Sequence, residues 1–222
     1  MTTQEFSDQF DVLYNNIMSN QAPGLDEYEK SVFLTKAQYE IIKNYFNPKS
    51  NKNQEGFDDS PKRQIDFSNL MAAAKPSVVT PTTYVKFDSR SSLYALPSDI
   101  LFALNETGVI TENTKTRLVT IVPISFEEYA RILSKPYKQP LKNQGWRLLN
   151  IGSTTSGGTT TVNRVSEIIV KTGGVLSDYT IRYVRRPKPI ILTTLTETNV
   201  SLDGETNVTE CELDPILHPE IL

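Results

Sequence analysis

The chain has 222 residues, 38% of them apolar, with a net charge of −3 and a pI of about 5.4. That length holds one large domain or a domain with appendages, and the slightly acidic balance offers no global attraction for nucleic acid. A single cysteine, Cys211, excludes an internal disulfide, the opening MTTQEFSDQF lacks the basic and apolar parts of a signal peptide, and no apolar run approaches the roughly 18–20 residues of a membrane span, so a soluble product of the cytoplasm is expected.

Phe6, Phe10, Leu13, Tyr14 and Ile17 recur at helical spacing and predict an amphipathic helix over residues 3–19, ended by Pro23-Gly24. The acidic turn Asp26-Glu27 opens a second helical piece that runs to Phe33. Thr35 and Gln38 then read as a T-x-x-Q capping box with Leu34 and Tyr39 as its hydrophobic staple, so a third helix is expected from there to Asn47-Pro48. Residues 48–63, PKSNKNQEGFDDSPKR, are polar and predict a mobile loop. DFSNLMAAA suits a turn or two of helix, SVVTPTT an extended linker or edge strand, and Tyr84 to Asp88 alternates with strand period.

Leu93–Leu133 carries the fullest grammar and organises the rest. Leu96-Pro97-Ser98-Asp99 is a turn, and Ile100, Phe102 and Leu104 begin a strand. Asn105 to Gly108 reads as a bulge or turn within it, and Glu112–Lys115 holds the hairpin tip. Arg117–Val122 returns, and Ser125 with Glu128 makes a second capping box, staple positions Ile124 and Tyr129 filled, for a helix to about 134. Further strands are expected at Trp146–Ile151, Val165–Thr172 and Tyr179–Val184, with the small-residue stretch GSTTSGGTTT as a flexible tip between the first two. Ile190–Leu192 and Glu210–Leu213 read as short strands. Asp214-Pro215 caps a last helix that the chain leaves after a turn or two.

The fold class expected is α+β: N-terminal helices packed with a C-terminal, mostly antiparallel β domain containing one inserted helix. The domains would be 1–76, helical with the 48–63 loop; 77–213, the β domain with helix 125–134; and 214–222, the start of a C-terminal helix.

No motif on the chain carries chemistry. His218 is the one histidine, so a metal site of His and Cys ligands has no material. Cys211 with His218 is the one combination offering a nucleophile and a base, and a small half-buried strand residue is the favoured reading of Cys211. The glycine pairs at 157–158 and 173–174 match no phosphate-binding pattern. Arg182, Arg185, Arg186 and Lys188, interleaved with Tyr179 and Tyr183, form the only basic–aromatic cluster. A solvated edge guarded by charge and proline ranks first for it, contact with acidic groups of a neighbouring subunit second, and phosphate contact with nucleic acid third.

Three stretches, LDEYEKSVFLTKAQYEIIKNYFNP, DFSNL and DPILHPEIL, resemble a ring or head-to-tail connector protein of the crAss-like phages, short-tailed viruses of gut Bacteroidales. LYALPSDILFAL, the hairpins after it and RYVRRPKPIIL are similar to podovirus adaptor and tail-tubular proteins. The resemblance implies a virion structural protein without catalytic residues, metal or cofactor. It would be a ring or adaptor subunit joining the portal to the tail and forming part of the DNA ejection conduit. Its partners would be copies of itself in a dodecameric ring, the portal protein, tail or further ring proteins and phage DNA in the lumen, with no membrane. It would be made in the host cytoplasm and reside at the head–tail interface of the virion. The family pattern carries a longer C-terminal helix after DPILHPEI. A nucleic-acid-binding module and a cysteine hydrolase stay open as alternatives.

Overall fold

A computed structural model of the chain describes residues 1–17, 24–46, 61–79, 86–112, 115–135, 137–156, 159–171, 175–196 and 200–222. They group into two compact units, Met1–Met71 with Arg186–Leu222, and Ala72–Arg185. The sequence reading assigned residues 186–213 to the β domain, whereas their contacts place them with the helices.

In the first unit α1 (Thr3–Ile17) and α2 (Glu27–Phe46) are followed by a short α3 (Pro61–Asp66) and a 3-10 turn, Ser68–Leu70. Phe6 on α1 packs against the His218 ring, and Tyr45 and Phe46 of α2 set their edges on Phe67. Leu13, expected on the buried stripe of α1, is exposed. Lys30 is buried, and its ammonium donates to Asp11 (2.7 Å) and Ser7 (3.1 Å) of α1 and to Glu27 (3.1 Å). This one cation therefore pins the two helices together.

The expected break at Leu34 does not exist, because α2 is continuous from Glu27 to Phe46. Its true capping box is Asp26 and Glu29: Asp26 Oδ1 accepts from the Glu29 amide (2.7 Å) and Glu29 Oε2 from the Asp26 amide (3.2 Å). Thr35 and Gln38 lie mid-helix, and their side chains serve a different backbone. The Ser31 hydroxyl accepts from the Leu192 amide (3.0 Å), the Thr35 hydroxyl from the Ile190 amide (3.1 Å), and the Gln38 amide nitrogen donates to the Lys188 carbonyl (3.1 Å). One stripe of α2, at i, i+4 and i+7, thus supplies hydrogen bonds to an extended segment that has almost no strand partner. Ile190–Leu192 and Glu210–Leu213 were expected as strands; a single bridge, Ile191 to Thr209, is all that forms. At the end of the unit Asp214 Oδ1 caps the Ile216 amide (3.0 Å), starting a 3-10 turn, Pro215–Leu217, that runs into α5 (His218–Ile221).

The second unit is a mixed sheet: β1 (Met71–Ala74), β2 (Ser92–Ala95), β3 (Ile100–Glu112), β4 (Lys115–Pro123), β5 (Gln144–Ser156), β6 (Thr159–Val170) and β7 (Asp178–Arg185) in the order β1-β7-β3-β4-β5-β6-β2. MAAA, expected as helix, is β1. The residues after β1 cross to the far edge, where Val78 bridges Tyr94 and the Val79 amide donates to Leu93 (2.9 Å). The segment 72–79 therefore pairs with both edges, and the sheet closes on itself. Tyr94, Ile110, Val119, Ile121, Ile168 and Ile181, drawn from five strands, fill the inside.

β4 and β5 pair in parallel. Parallel neighbours need a long crossover, and α4 (Phe126–Leu133) supplies it, started as expected by Ser125 Oγ accepting from the Glu128 amide (3.1 Å). α4 covers the outer face of β5 and β6, with Tyr129 against Trp146, Leu148 and Ile169.

Several local expectations resolve differently. Lys86–Asp88 is a turn, not strand. The irregularities of β3 fall between Ile100 and Phe102 and between Ala103 and Asn105. Gly108 is regular strand; a Cβ there would meet Leu176 Cδ1 at 2.6 Å, so the glycine makes room for a core side chain. Both strands run into GSTTSGGTTT, to Ser156 and from Thr159, and Gly157 and Gly158 between them lie outside the described residues. Threonine's branched Cβ favours strand, and that outweighs the flexibility of small residues. The 48–63 loop lies outside the described residues up to 60, and residues 61–63 open α3. Asn113 and Thr114 of the first hairpin tip also lie outside them.

Candidate assembly surfaces

Two β ribbons extend past the body of the sheet. β3 loses its β7 partner beyond Val109, and β4 pairs with β5 only from Thr120, so among the described residues Ile110–Glu112 and Lys115–Arg117 have no strand partner but each other, with Ile110 still packed in the core. The second ribbon is longer. From Gly152 with Asn163 to Ser156 with Thr159, β5 and β6 have no other strand beside them among the described residues. Five pairs at about 3.4 Å per residue reach roughly 17 Å. Because β4 starts at the first tip and β5, parallel to it, ends at the second, the ribbons leave the sheet at opposite ends. A lone two-stranded ribbon is marginal in water, and its outer edges present unpaired backbone groups to another chain.

Between them the body is tied by buried polar contacts. Inside the closed sheet Arg147 Nη1 meets Glu106 Oε1 at 2.6 Å, and the Tyr179 hydroxyl donates to Glu106 Oε2 at 3.0 Å. Burial pushes the Glu106 carboxyl up, and the Arg147 charge opposes it. Outside, Glu167 is fully buried and accepts from the amides of Phe87 (2.9 Å) and Asp88 (3.0 Å) and from the Ser91 hydroxyl. Asp88 receives the Arg90 guanidinium at 2.9 Å and the Tyr129 hydroxyl, which hold its carboxyl down at about 2 despite burial; burial and Asp88 push Tyr129 up to about 12. Sequence reasoning missed Glu106, Arg147 and Glu167. Their one signal was a charge at an inward or covered register of a strand, readable only once the pairing is known.

Beside α4 a shallow groove of about 60 Å³ is lined by Ile132, Leu133, Lys135, Lys138 and Trp146 among others. Tyr137, 99% exposed, and Leu141, 70% exposed, are next in sequence to the lining residues Lys138 and Pro140. From Arg131 to Lys142 the chain carries four cations and no acid.

The predicted basic cluster is spread along a single extended run. Arg182 is exposed on β7, with Tyr179 and Tyr183 turned inward, and Arg185 ends that strand partly buried. Arg186 and Lys188 are exposed in the first unit, alternating with the buried Pro187 and Pro189. The tyrosines are thus core residues and do not share a face with Arg182, whereas Arg185 lies on their side of the strand, where its charge acts on Tyr183; Tyr183 donates to Asp99 (3.1 Å).

Cys211 and His218 do not form a nucleophile and base. His218 is buried; its Nε2 donates to the Leu213 carbonyl (3.1 Å) and its Nδ1 accepts from the Met1 amino group (2.7 Å). Burial lowers its pKa and pushes the Cys211 thiol up to about 11. Among the described residues no group of three His, Cys, Asp or Glu could hold a metal, and no helix is long and apolar enough to cross a membrane.

Comparison with known proteins gives the surfaces a context. The family described as phage tail ring protein 3/4 matches residues 1–222. "Ring protein 4/5" of Bacteroides phage crAss001 is 50% identical over 225 residues, covering 100% of this chain and 89% of that protein. "Ring protein 3" of the same phage is 29% identical over 226 residues, covering 100% of this chain and 92% of that protein.

Proposed function

Given that the chain belongs to the phage tail ring protein 3/4 family, we propose that it is a virion structural subunit that closes into a ring between portal and tail and lines part of the DNA ejection conduit. The observation that carries this reading is the family match from the first residue to the last. A ring of identical subunits needs a heterologous contact whose rotation closes. The two ribbons suit that demand, since they offer unpaired backbone at opposite ends of one sheet. The resemblance to connectors favours a dodecamer, with the portal protein and tail or further ring proteins as axial neighbours.

Arg182, Arg185, Arg186 and Lys188 are the candidates for subunit or DNA contact. Set against a neighbour's carboxylates they fix register; facing the lumen they meet phosphates, with affinity that falls steeply as salt rises. Cryo-electron microscopy of virions tests the whole reading. The expected result is a closed ring of this chain at the head–tail joint, with the portal on one side and tail components on the other. A particle whose joint lacks this chain, or holds it elsewhere than in a ring, overturns it.

A further inference from the structure

We propose that α1 of one copy docks on the basic groove beside α4 of the next copy, and that this contact strings the copies head to tail. The inference rests on the ring reading and names the surfaces that would make the ring.

The two surfaces carry charge of opposite sign beside exposed apolar side chains; on α1 Glu5 also caps the Thr2 amide (2.9 Å) and Asp8 accepts from Gln4 (3.0 Å). α1 carries Glu5, Asp8 and Asp11 and no base. Asp11 is engaged by Lys30, while Glu5 and Asp8 lie on the solvent side. On that side the helix also shows Val12, 61% exposed, with Leu13 next to it. Asp8 and Val12 are one turn apart, so an apolar spot and a carboxylate adjoin. The opposite surface pairs Leu133, Tyr137 and Leu141 with Lys135, Lys138 and Lys142. No ion pair engages these three lysines among the described residues. Single exposed leucines are ordinary. A wholly exposed tyrosine with an exposed leucine four positions to either side, in the segment that also lines the groove, is apolar surface that a partner can cover. The occupant that matches it in charge and in apolar content is α1, and a chain that carries both halves makes a repeating contact with itself.

Two separately tagged populations of the full chain, both Cys211→Ser, test this. One carries Val12→Cys and the other Tyr137→Cys. Under mild oxidation the expected product is a disulfide between the populations. Asp8→Lys or Lys138→Glu should each cut its yield about tenfold, and the two together, one in each population, should restore it. A yield no higher than that between Val12→Cys and a control cysteine at the exposed Thr120 overturns the contact, as does indifference to the charge reversals or a chain that stays monomeric at high concentration. Charge reversals on α1 that block incorporation into virions yet leave the cross-link intact assign α1 to another partner and also overturn it. Closed rings in virions without this cross-link defeat the contact and leave the ring reading standing; the ring reading falls only if the head–tail joint holds no ring of this chain.

Discussion

The two units solve one problem, an extended backbone in need of hydrogen-bond partners, in different ways. In the closed sheet each strand is served by the backbone of its neighbours, as in the run of pairs from Gly145 with Val170 to Ser156 with Thr159. In the helical unit the extended run from Lys188 to Leu192 is served by side chains, Ser31, Thr35 and Gln38 of one helix. A backbone ladder tolerates changes of side chain, because its donors and acceptors belong to every residue. A side-chain ladder does not, because each rung is a residue type. Outside the packed core, substitutions should therefore be felt in the β unit where a side chain has taken over a backbone's role, and in the helical unit at every rung.

Glu167 takes that role for more backbone groups than Tyr94, which accepts from the Leu176 amide, or Asp88, which accepts from the Arg90 amide, and the largest effect is expected there. Glu167→Ala orphans the amides of Phe87 and Asp88 and the Ser91 hydroxyl together. At roughly 1–3 kcal/mol for one buried unsatisfied group, partly relieved by water entering the loop, a loss of about 3 kcal/mol is expected in urea unfolding. A loss under about 1 kcal/mol would mean that the Asp88–Tyr129 contact holds the loop without it. Glu167→Gln keeps an acceptor and should cost less.

The acid limb of stability comes next. Asp88 titrates at about 2 in the fold against an ordinary value of 3.8. Its contribution is present above pH 4 and is lost as pH falls from there towards 2, because the unfolded chain takes up the proton first. Nearly two pH units correspond to about 2 kcal/mol. His218, whose pKa burial lowers, acts in the same direction at higher pH: stability falls as pH drops through the ordinary histidine range. Measured by denaturation between pH 5 and pH 2, Asp88→Asn should flatten the lower part of that limb. An unchanged limb would show that other carboxylates set it.

The same contrast decides what could be read from the sequence. Strand period and turn residues placed β4, β7 and the core of β5, and Ser125 with Glu128 placed α4, because these signals are local. The membership of residues 186–213 was hidden, since their partners sit some 150 positions earlier on α2. Thr35 and Gln38 were misread for a related reason. A hydroxyl and an amide three apart look like a cap, and only the tertiary fold shows that Ser31 completes a stripe directed at another segment. Closure of the sheet was also illegible, because it depends on Val78 reaching Tyr94 across the whole order of strands. The candidate surfaces were half legible: Arg182 and its neighbours and the tip at Glu112–Lys115 could be named from sequence, whereas the groove beside α4 exists only once α4 is laid on β5.

Thr35→Val gives the finest test of the contrast. Valine keeps the shape of threonine and removes the hydroxyl, which here accepts from the Ile190 amide at 3.1 Å and donates to the Ile190 carbonyl at 3.3 Å. Both backbone groups are buried and have no strand to fall back on, so a loss of about 1–2 kcal/mol is expected. Thr120→Val on β4 makes the same chemical change at an exposed strand position, whose amide donates to the Asn143 carbonyl at 3.0 Å whatever its side chain is. It should be neutral, since valine suits a strand at least as well. Hydrogen exchange localises the difference: the Ile190 amide should exchange faster in Thr35→Val, while the amides of β4 keep their protection in Thr120→Val. Equal losses in the two variants would mean that the extended segment is held by the burial of Pro189, Ile190 and Ile191 and that the α2 stripe is incidental to it.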